Sequence, residues 1–279
     1  MTYAELFKTS TEKLTSAGIT EAESDVRLLF SYMLDADRGF MFMHGEDVVK
    51  DEDVKKIEAA CEKRCERVPL QHITGYQNFM GLEFKVTGDV LVPRFDTECL
   101  VEEAMLVCAD GDKVLDVCTG SGCILISLMN YKNDIRGFGC DISSLALDVA
   151  KENALALCRR GNNPQFIESD LFSNISEREF DIIVSNPPYI RSDVIPTLMP
   201  EVRDYDPMLA LDGGHDGLIF YRCIAKEARE YLKKSGHLLV EIGHDQGDDV
   251  SKIFVENGYA DVRVVKDLCG NDRVVAGRL

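Results

Sequence analysis

From about residue 97 onward, apolar runs of strand length alternate with longer segments of helical periodicity, and this alternation narrows the fold more than any other feature of the chain. The strand candidates are 113–117, 136–141, 165–168, 181–185, 237–242, 260–265 and 273–278. Helical patterns fill about 97–108, 122–130, 144–158, 216–234 and 247–257. Strands that alternate with helices imply an α/β domain around a mostly parallel sheet. The last two strand candidates leave no room for a crossover helix. They are expected to pair antiparallel through a turn near Gly270-Asn271, closing a sheet of seven strands.

The chain before this region reads differently. Residues 1–75 have helical character. "TYAE" and "TEAE" both match the capping-box pattern, Thr2 with Glu5 and Thr20 with Glu23. Ala22, Val26, Leu29, Phe30 and Met33 recur at helical spacing, and Val54, Ile57 and Cys61 form a stripe on a third segment from about Asp51 to Arg67, closed by Pro69. Such a bundle serves equally as a structural unit or as a partner-docking module. Next come "LEFKV" and "DVLVP", two β-like runs around Thr87-Gly88, which predict a hairpin. The expected organisation is therefore a small helical domain over 1–75, a β-hairpin linker over 76–96 and the α/β domain over 97–279.

Composition removes several classes of function. The 279 residues carry a formal charge of −18, so the overall field does not draw in nucleic acid, and no direct nucleic-acid binding is expected. No apolar run approaches the roughly 18 residues of a membrane span, and the acidic "MTYAELFKTSTEKL" start has no apolar signal core. No membrane partner is expected. The ten cysteines are irregularly spaced, and Cys123, Cys140 and Cys223 fall in apolar runs, where cysteine acts as a small hydrophobe. Cys61 and Cys65 stand four apart with no nearby His, which favours packing over a metal site. A reducing cytoplasm fits this usage.

Three strand ends describe a ligand. "KVLDVCTGSGCILISL" is a strand, a glycine-containing loop and a helix, and ligands of doubly wound sheets sit at the carboxyl ends of strands. Gly120 and Gly122 allow close backbone approach. The loop lacks the last glycine of a dinucleotide fingerprint, since Leu125 stands in its place. The next strand ends in Asp141, 25 residues after Asp116, where an acid can accept from both ribose hydroxyls. It could equally cap the helix that begins at "DISSLA". The third ends "FIESDLF", in which Asp170 can accept from an adenine amine and Leu171 can pack on its ring. Together they describe an adenosine site without a pyrophosphate clamp, and S-adenosylmethionine fits it.

The fourth strand, "IIVSNPPYI", stops at two prolines, neither of which can continue a sheet. It carries Asn186-Pro187-Pro188-Tyr189 to the same edge. A planar nitrogen, whether an amide NH2 or the amine of a base, is a poor nucleophile because its lone pair is conjugated. The amide rotation barrier of about 18–20 kcal/mol shows how strongly. The Asn186 side-chain oxygen and the Pro187 carbonyl could each accept one N–H of such a group, and Tyr189 could stack on it. A stiff diproline presets that geometry. A strand-ending proline turn with a buried Tyr would look the same.

"DVCTGSG", Asp141, "SDLF" and "NPPY", in this order, resemble an S-adenosylmethionine-dependent amino-methyltransferase. "PLQHITGYQNF", "VLVPRFDTECLVE" and the tail "KDLCGNDRVVAGR" narrow the resemblance to the PrmC/HemK release-factor glutamine methyltransferases, over nearly the whole chain. The resemblance implies a Rossmann-like class I methyltransferase domain behind a helical domain that faces a release factor. It implies methyl transfer from S-adenosyl-L-methionine, leaving S-adenosyl-L-homocysteine, to the Gln of a Gly-Gly-Gln loop in class I peptide chain release factors. It places that Gln against Asn186, Pro187, Pro188 and Tyr189, and the methyl donor against Cys118, Thr119, Gly120, Ser121, Gly122, Asp141, Asp170, Leu171 and Asn186, with no metal. Arg94, Thr97 and Glu98 match a linker motif near the site, without individual roles. Two positions depart from the family: Cys118 replaces a usual glycine, and Leu171 a frequent aromatic. The nearest rival is an N6-adenine methyltransferase of DNA or RNA, which shares NPPY; a non-catalytic adenosine-binding module is more distant.

Overall fold

The computed structural model describes residues 1–159 and 161–279. They divide into two compact units, Met1–Tyr76 with Met199–Tyr205, and Gln77–Leu198 with Asp206–Leu279.

The first unit packs α1 (Tyr3–Ser16), α2 (Ala22–Leu34), α3 (Arg38–His44), α4 (Asp51–Cys65) and α5 (Leu70–Thr74) around Leu6, Leu14, Val26, Leu29, Phe30 and Ile57. Thr2 and Glu5 form the expected capping box. Thr20 and Glu23 do not, because α2 begins at Ala22 and its cap position, Glu21, makes no side-chain bond. Glu23 is thus one residue too early to close a box. Cys61 is buried in this core and Cys65 packs at its margin. The segment 199–205, with α9 (Pro200–Arg203), joins the unit through a buried ion cluster. Glu201 Oε1 accepts from Arg64 and Arg67, each at 3.0 Å, and Arg64 also meets Asp25 at 2.7 Å.

The second unit begins at Gln77, within a hairpin of β1 (Tyr76–Phe79) and β2 (Leu82–Lys85). The expected turn at Thr87-Gly88 is corrected to Met80-Gly81, and "DVLVP" forms no strand. Met80 and Gly81 both take positive φ, +50° and +70°, as the tight two-residue hairpin turn requires. Tertiary bonds hold Met80 there: Glu98 Oε1 accepts from its N–H at 2.6 Å, and the Tyr131 hydroxyl donates to its carbonyl at 2.7 Å.

Then follow α6 (Phe95–Val107), β3 (Lys113–Val117), α7 (Cys123–Tyr131), β4 (Arg136–Asp141), α8 (Ser144–Leu157), β5 (Gln165–Glu168), β6 (Phe180–Ser185), α10 (Met208–Leu211), α11 (Ile219–Glu227), β7 (Leu232–Glu241), α12 (Gly247–Glu256), β8 (Ala260–Lys266) and β9 (Asp272–Arg278). The seven strands lie in the order β5-β4-β3-β6-β7-β9-β8, with β9 antiparallel to both neighbours. The helical pattern expected over 216–234 gives way to β7 from residue 232, where the strand is bulged against β6 and Ser235 takes φ +69°.

Alternate residues of the central strands serve two cores. Leu115, Ile183, Leu238, Val240 and Val275 face the side covered by α11 and α12. Val114, Ile182, Val184, Leu239 and Val274 face α6, α7 and the hairpin. Strands buried on both faces read as continuous apolar runs, which is why the sheet is visible in the sequence. The arrangement brings the ends of β3, β4, β5, β6 and β7 to one edge.

Candidate active site

The loop after β3 is held in an unusual backbone shape. Cys118, Gly120 and Gly122 take φ of +60°, +53° and +79°. A Cβ on Gly122 would stand 2.9 Å from Ile126 Cδ1 and 3.3 Å from Ala150 Cβ, so that glycine lets α7 and α8 close together. A Cβ on Gly120 would meet nothing within 4 Å; that side is open. Cys118 solves its missing glycine by tucking its side chain against the core beneath the sheet, next to Ser185, where burial pushes its thiol pKa well up.

Side chains fasten this loop from below. The Thr119 hydroxyl donates to Asp116 Oδ2 at 2.6 Å, and the Gly120 N–H donates to Asp141 Oδ2 at 2.9 Å. Asp141 Oδ1 accepts from the Ser143 N–H at 2.9 Å. Asp141 therefore serves the loop and the start of α8 together. Asn153, buried on α8, donates to the carbonyls of Ser121 and Lys85 and accepts from the Lys85 N–H. Burial raises Asp116 to about 7, against the pull of the Thr119 hydroxyl, and also raises Asp141.

Above the strand ends lies a cavity of about 240 Å³. Of the residues named from sequence, Cys118, Thr119, Gly120, Ser121, Asp141, Asp170, Leu171, Asn186 and Pro188 line it, as do Arg94 and Thr97. Gly122, Pro187 and Tyr189 do not. Gly122 begins α7. The Tyr189 ring packs on the core, and its hydroxyl donates to Glu241 Oε1 at 3.3 Å. Pro207, Leu209, Ala210 and Phe220 form the facing wall. That wall is tied down by Arg94, whose guanidinium meets Asp206 at 2.6 Å.

The NPPY segment rests on Thr97, which the sequence reading named without a role, and on groups that it passed over. Gly213 and Gly217 approach its backbone so closely that a Cβ would stand 2.7 Å from Tyr189 Cα and 2.5 Å from Tyr189 O, respectively. Gln246 Nε2 donates to the carbonyls of Tyr189 and Gly217, at 3.1 and 3.2 Å. The Asn186 amide Nδ2 donates to Thr97 Oγ1 at 3.2 Å. Glu241, at the end of β7, is 1 % exposed and raised to about 7 by burial. The signals were present: "LDGGHDG" crowds glycines beside the strand edge, and "VEIG" ends an apolar run in an acid as "GCD" does.

The donor set suits an adenosine-bearing methyl donor. Two acids, Asp141 and Asp170, stand at successive strand ends, Leu171 adds an apolar surface, and the open side of Gly120 admits close approach. Among the described residues, no group of three or more His, Cys, Asp or Glu is arranged to hold a metal, and no helix is long and apolar enough to cross a membrane.

Comparison with known proteins agrees with this geometry. Residues 5–75 match the PrmC N-terminal domain model, and residues 94–199 match the methyltransferase small domain model. A release factor glutamine methyltransferase of Agrobacterium fabrum is 42% identical over 275 residues, 96% of this chain and 94% of the relative. One of Geobacter sulfurreducens is 40% identical over 266 residues, 95% of this chain and 93% of the relative. A methyltransferase structure from Pyrococcus furiosus, 16% identical, shares the fold with a TM-score of 0.52, over 71% of this chain and 89% of that one.

Proposed function

We propose, from the premise that this chain belongs to the family of release factor glutamine methyltransferases, that it methylates the side-chain amide nitrogen of the glutamine in the Gly-Gly-Gln loop of class I peptide chain release factors. The observation that carries this reading is a single cavity lined both by the adenosine-type strand ends and by Asn186 and Pro188 of NPPY.

S-adenosylmethionine, when bound, supplies an electrophilic methyl carbon. In this reading the loop Cys118–Gly122 approaches it through the backbone. Each Asp141 oxygen, already accepting one backbone N–H, keeps a lone pair for a ribose hydroxyl. Asp170 accepts from the adenine amine, and Leu171 packs on the ring. Asn186 Oδ1 accepts one N–H of the glutamine, pointing its nitrogen at the methyl carbon; the Pro187 carbonyl, expected to accept the other, stands outside the cavity lining. Pro188 forms the surface beside it, and Tyr189 supports the segment from beneath. The nitrogen–carbon bond would form as the methyl–sulfur bond breaks to leave the neutral thioether, and the nitrogen, then acidic, would give its proton to solvent water, so positioning carries the rate and no dedicated base is needed. The helical unit over 1–75 is the release-factor docking module, the stretch 76–96 its linker, and the cytoplasm the compartment.

The test is incubation with the host's release factors and labelled methyl donor, followed by peptide mass spectrometry. The expected result is one methyl group on the Gly-Gly-Gln glutamine. Label on DNA or RNA instead, or on another side chain, would overturn the reading.

A further inference from the structure

A charge taken out of water needs a partner in the cavity that takes it. S-adenosylmethionine has two cationic groups, its sulfonium and its amine, and one anionic group, the carboxylate of its amino-acid tail. Three residues lining the cavity are acids: Asp89, Asp141 and Asp170. Among the described residues of that lining, Arg94 alone is a Lys, Arg or His. The chain as a whole carries −18. A carboxylate entering this field with no cation beside it is repelled.

The glycine-containing loop has little left to offer that carboxylate. Three of the backbone N–H groups in 118–122 are already spent inside the protein. Thr119 donates to the Cys140 carbonyl at 2.9 Å, Gly120 to Asp141 Oδ2 at 2.9 Å and Gly122 to the Thr119 carbonyl at 2.8 Å. Arg94 is the opposite case. A guanidinium has five N–H donors, and among the described residues this one makes a single hydrogen bond, from Nη2 to Asp206 Oδ2 at 2.6 Å. Asp206 has no exposed side-chain surface, whereas the Arg94 side chain is 43% exposed. A buried acid thus anchors one corner of the guanidinium and leaves its other donors uncommitted. One guanidinium already serves two acids elsewhere in this chain: Arg64 gives Nε to Asp25 at 2.7 Å and Nη1 to Glu201 at 3.0 Å.

We propose that Arg94 receives the tail carboxylate of S-adenosylmethionine, dividing its guanidinium between that carboxylate and Asp206. Asp206 is then a positioning residue, which holds Arg94 against the cavity. The only anionic group of the donor meets the only cation of the lining. This rests on the reading that S-adenosylmethionine is the methyl donor.

The experiment sets S-adenosylmethionine against its decarboxylated analogue, which keeps the adenosine, the sulfonium and the amine. Calorimetry gives the dissociation constant of each for full-length wild type, Asp206→Asn and the double variant Arg94→Gln/Asp206→Asn. The Asp206→Asn background removes the buried acid that Arg94→Gln alone would strand, so the comparison survives if that single variant does not fold. Adding Arg94→Gln to Asp206→Asn is expected to weaken S-adenosylmethionine by about ten- to a hundredfold, the scale of a hydrogen bond to a charged group. The decarboxylated analogue should bind the double variant no more weakly than Asp206→Asn. An equal loss for both donors would mean that Arg94 only supports the wall, and no loss for either that the carboxylate lies elsewhere; each overturns the proposal. A wild type that binds neither donor would overturn the choice of methyl donor itself, and this proposal with it.

Discussion

The guanidinium of Arg94 meets the carboxylate of Asp206 at 2.6 Å, joining residues 112 apart. Asp206 has no exposed side-chain surface, whereas the Arg94 side chain is 43% exposed. The wall residues Pro207, Leu209 and Ala210 follow Asp206 directly, and Arg94 itself lines the cavity. Arg94→Ala would leave a buried acid without its partner. Full burial would make that loss about 3–5 kcal/mol; the exposed guanidinium brings it down towards about 1 kcal/mol. Denaturant unfolding should show this loss, and calorimetry should show weaker S-adenosylmethionine binding. The double variant with Asp206→Asn should recover most of the stability, because no unpaired charge remains.

Asp116 sets a pH dependence of stability. Its carboxyl is raised from 3.8 to about 7, chiefly by burial. A raised acid binds its proton more tightly in the folded state. Its contribution is therefore complete below the unfolded value and disappears as pH climbs through about 7. Asp116→Asn cannot titrate and can still accept from Thr119. The stability of wild type relative to this variant should fall between about pH 4 and pH 7, by up to about 4 kcal/mol for such a shift. Thermal melts of both proteins across that range measure it. A difference that stays flat with pH would show that Asp116 keeps its charge when folded.

The elements that could be read from sequence are those whose residues answer to their own neighbours. β3 is buried at all five positions, so "KVLDV" announces a central strand without outside help. Asp141 stands where its strand stops, and the structure puts it under the Gly120 N–H. The elements that escaped depend on distant partners. Met80 is a poor choice for positive φ, and its turn is held by Glu98 and Tyr131, 18 and 51 residues away. Glu201 reads as an ordinary surface acid until Arg64 and Arg67, more than 130 residues earlier, enclose it. Tyr189 looked like a stacking face because nothing local shows that Glu241 draws its hydroxyl inward.

Gly213 tests how closely the NPPY backbone is supported. A Cβ there would lie 2.7 Å from Tyr189 Cα, 2.8 Å from its carbonyl carbon and 2.9 Å from Pro188 O. All three are backbone atoms, which cannot swing aside as a side-chain tip can. Gly213→Ala should cost about 1–3 kcal/mol of stability. Because the segment that must shift includes the neighbours of Asn186, kcat should drop by as much as about a hundredfold. Gly88→Ala is the control. That glycine has nothing within 4 Å of a built Cβ and no positive φ, so its stability should stay within about 0.5 kcal/mol of wild type. Parallel unfolding and turnover measurements on the pair separate crowding from mere loss of a glycine.

Cys118 offers a cleaner balance of opposing terms. At φ +60° an L-residue bears a strain of about 1–2 kcal/mol. Its side chain returns part of this by packing against the core beneath the sheet. Cys118→Gly would relieve the strain but lose that packing and loosen the unfolded chain, worth about 0.5–1 kcal/mol by itself. The terms nearly cancel, so its stability should lie within about 1 kcal/mol of wild type. Cys118→Ala keeps the strain and gives up the sulfur contacts, and should be less stable than either. Cys118→Val adds a β-branched side chain, for which positive φ is a genuine outlier, and should be the least stable of the series. Denaturant unfolding gives the ranking directly. An alanine variant more stable than the glycine variant would mean that the loop has relaxed out of its left-handed turn at Cys118.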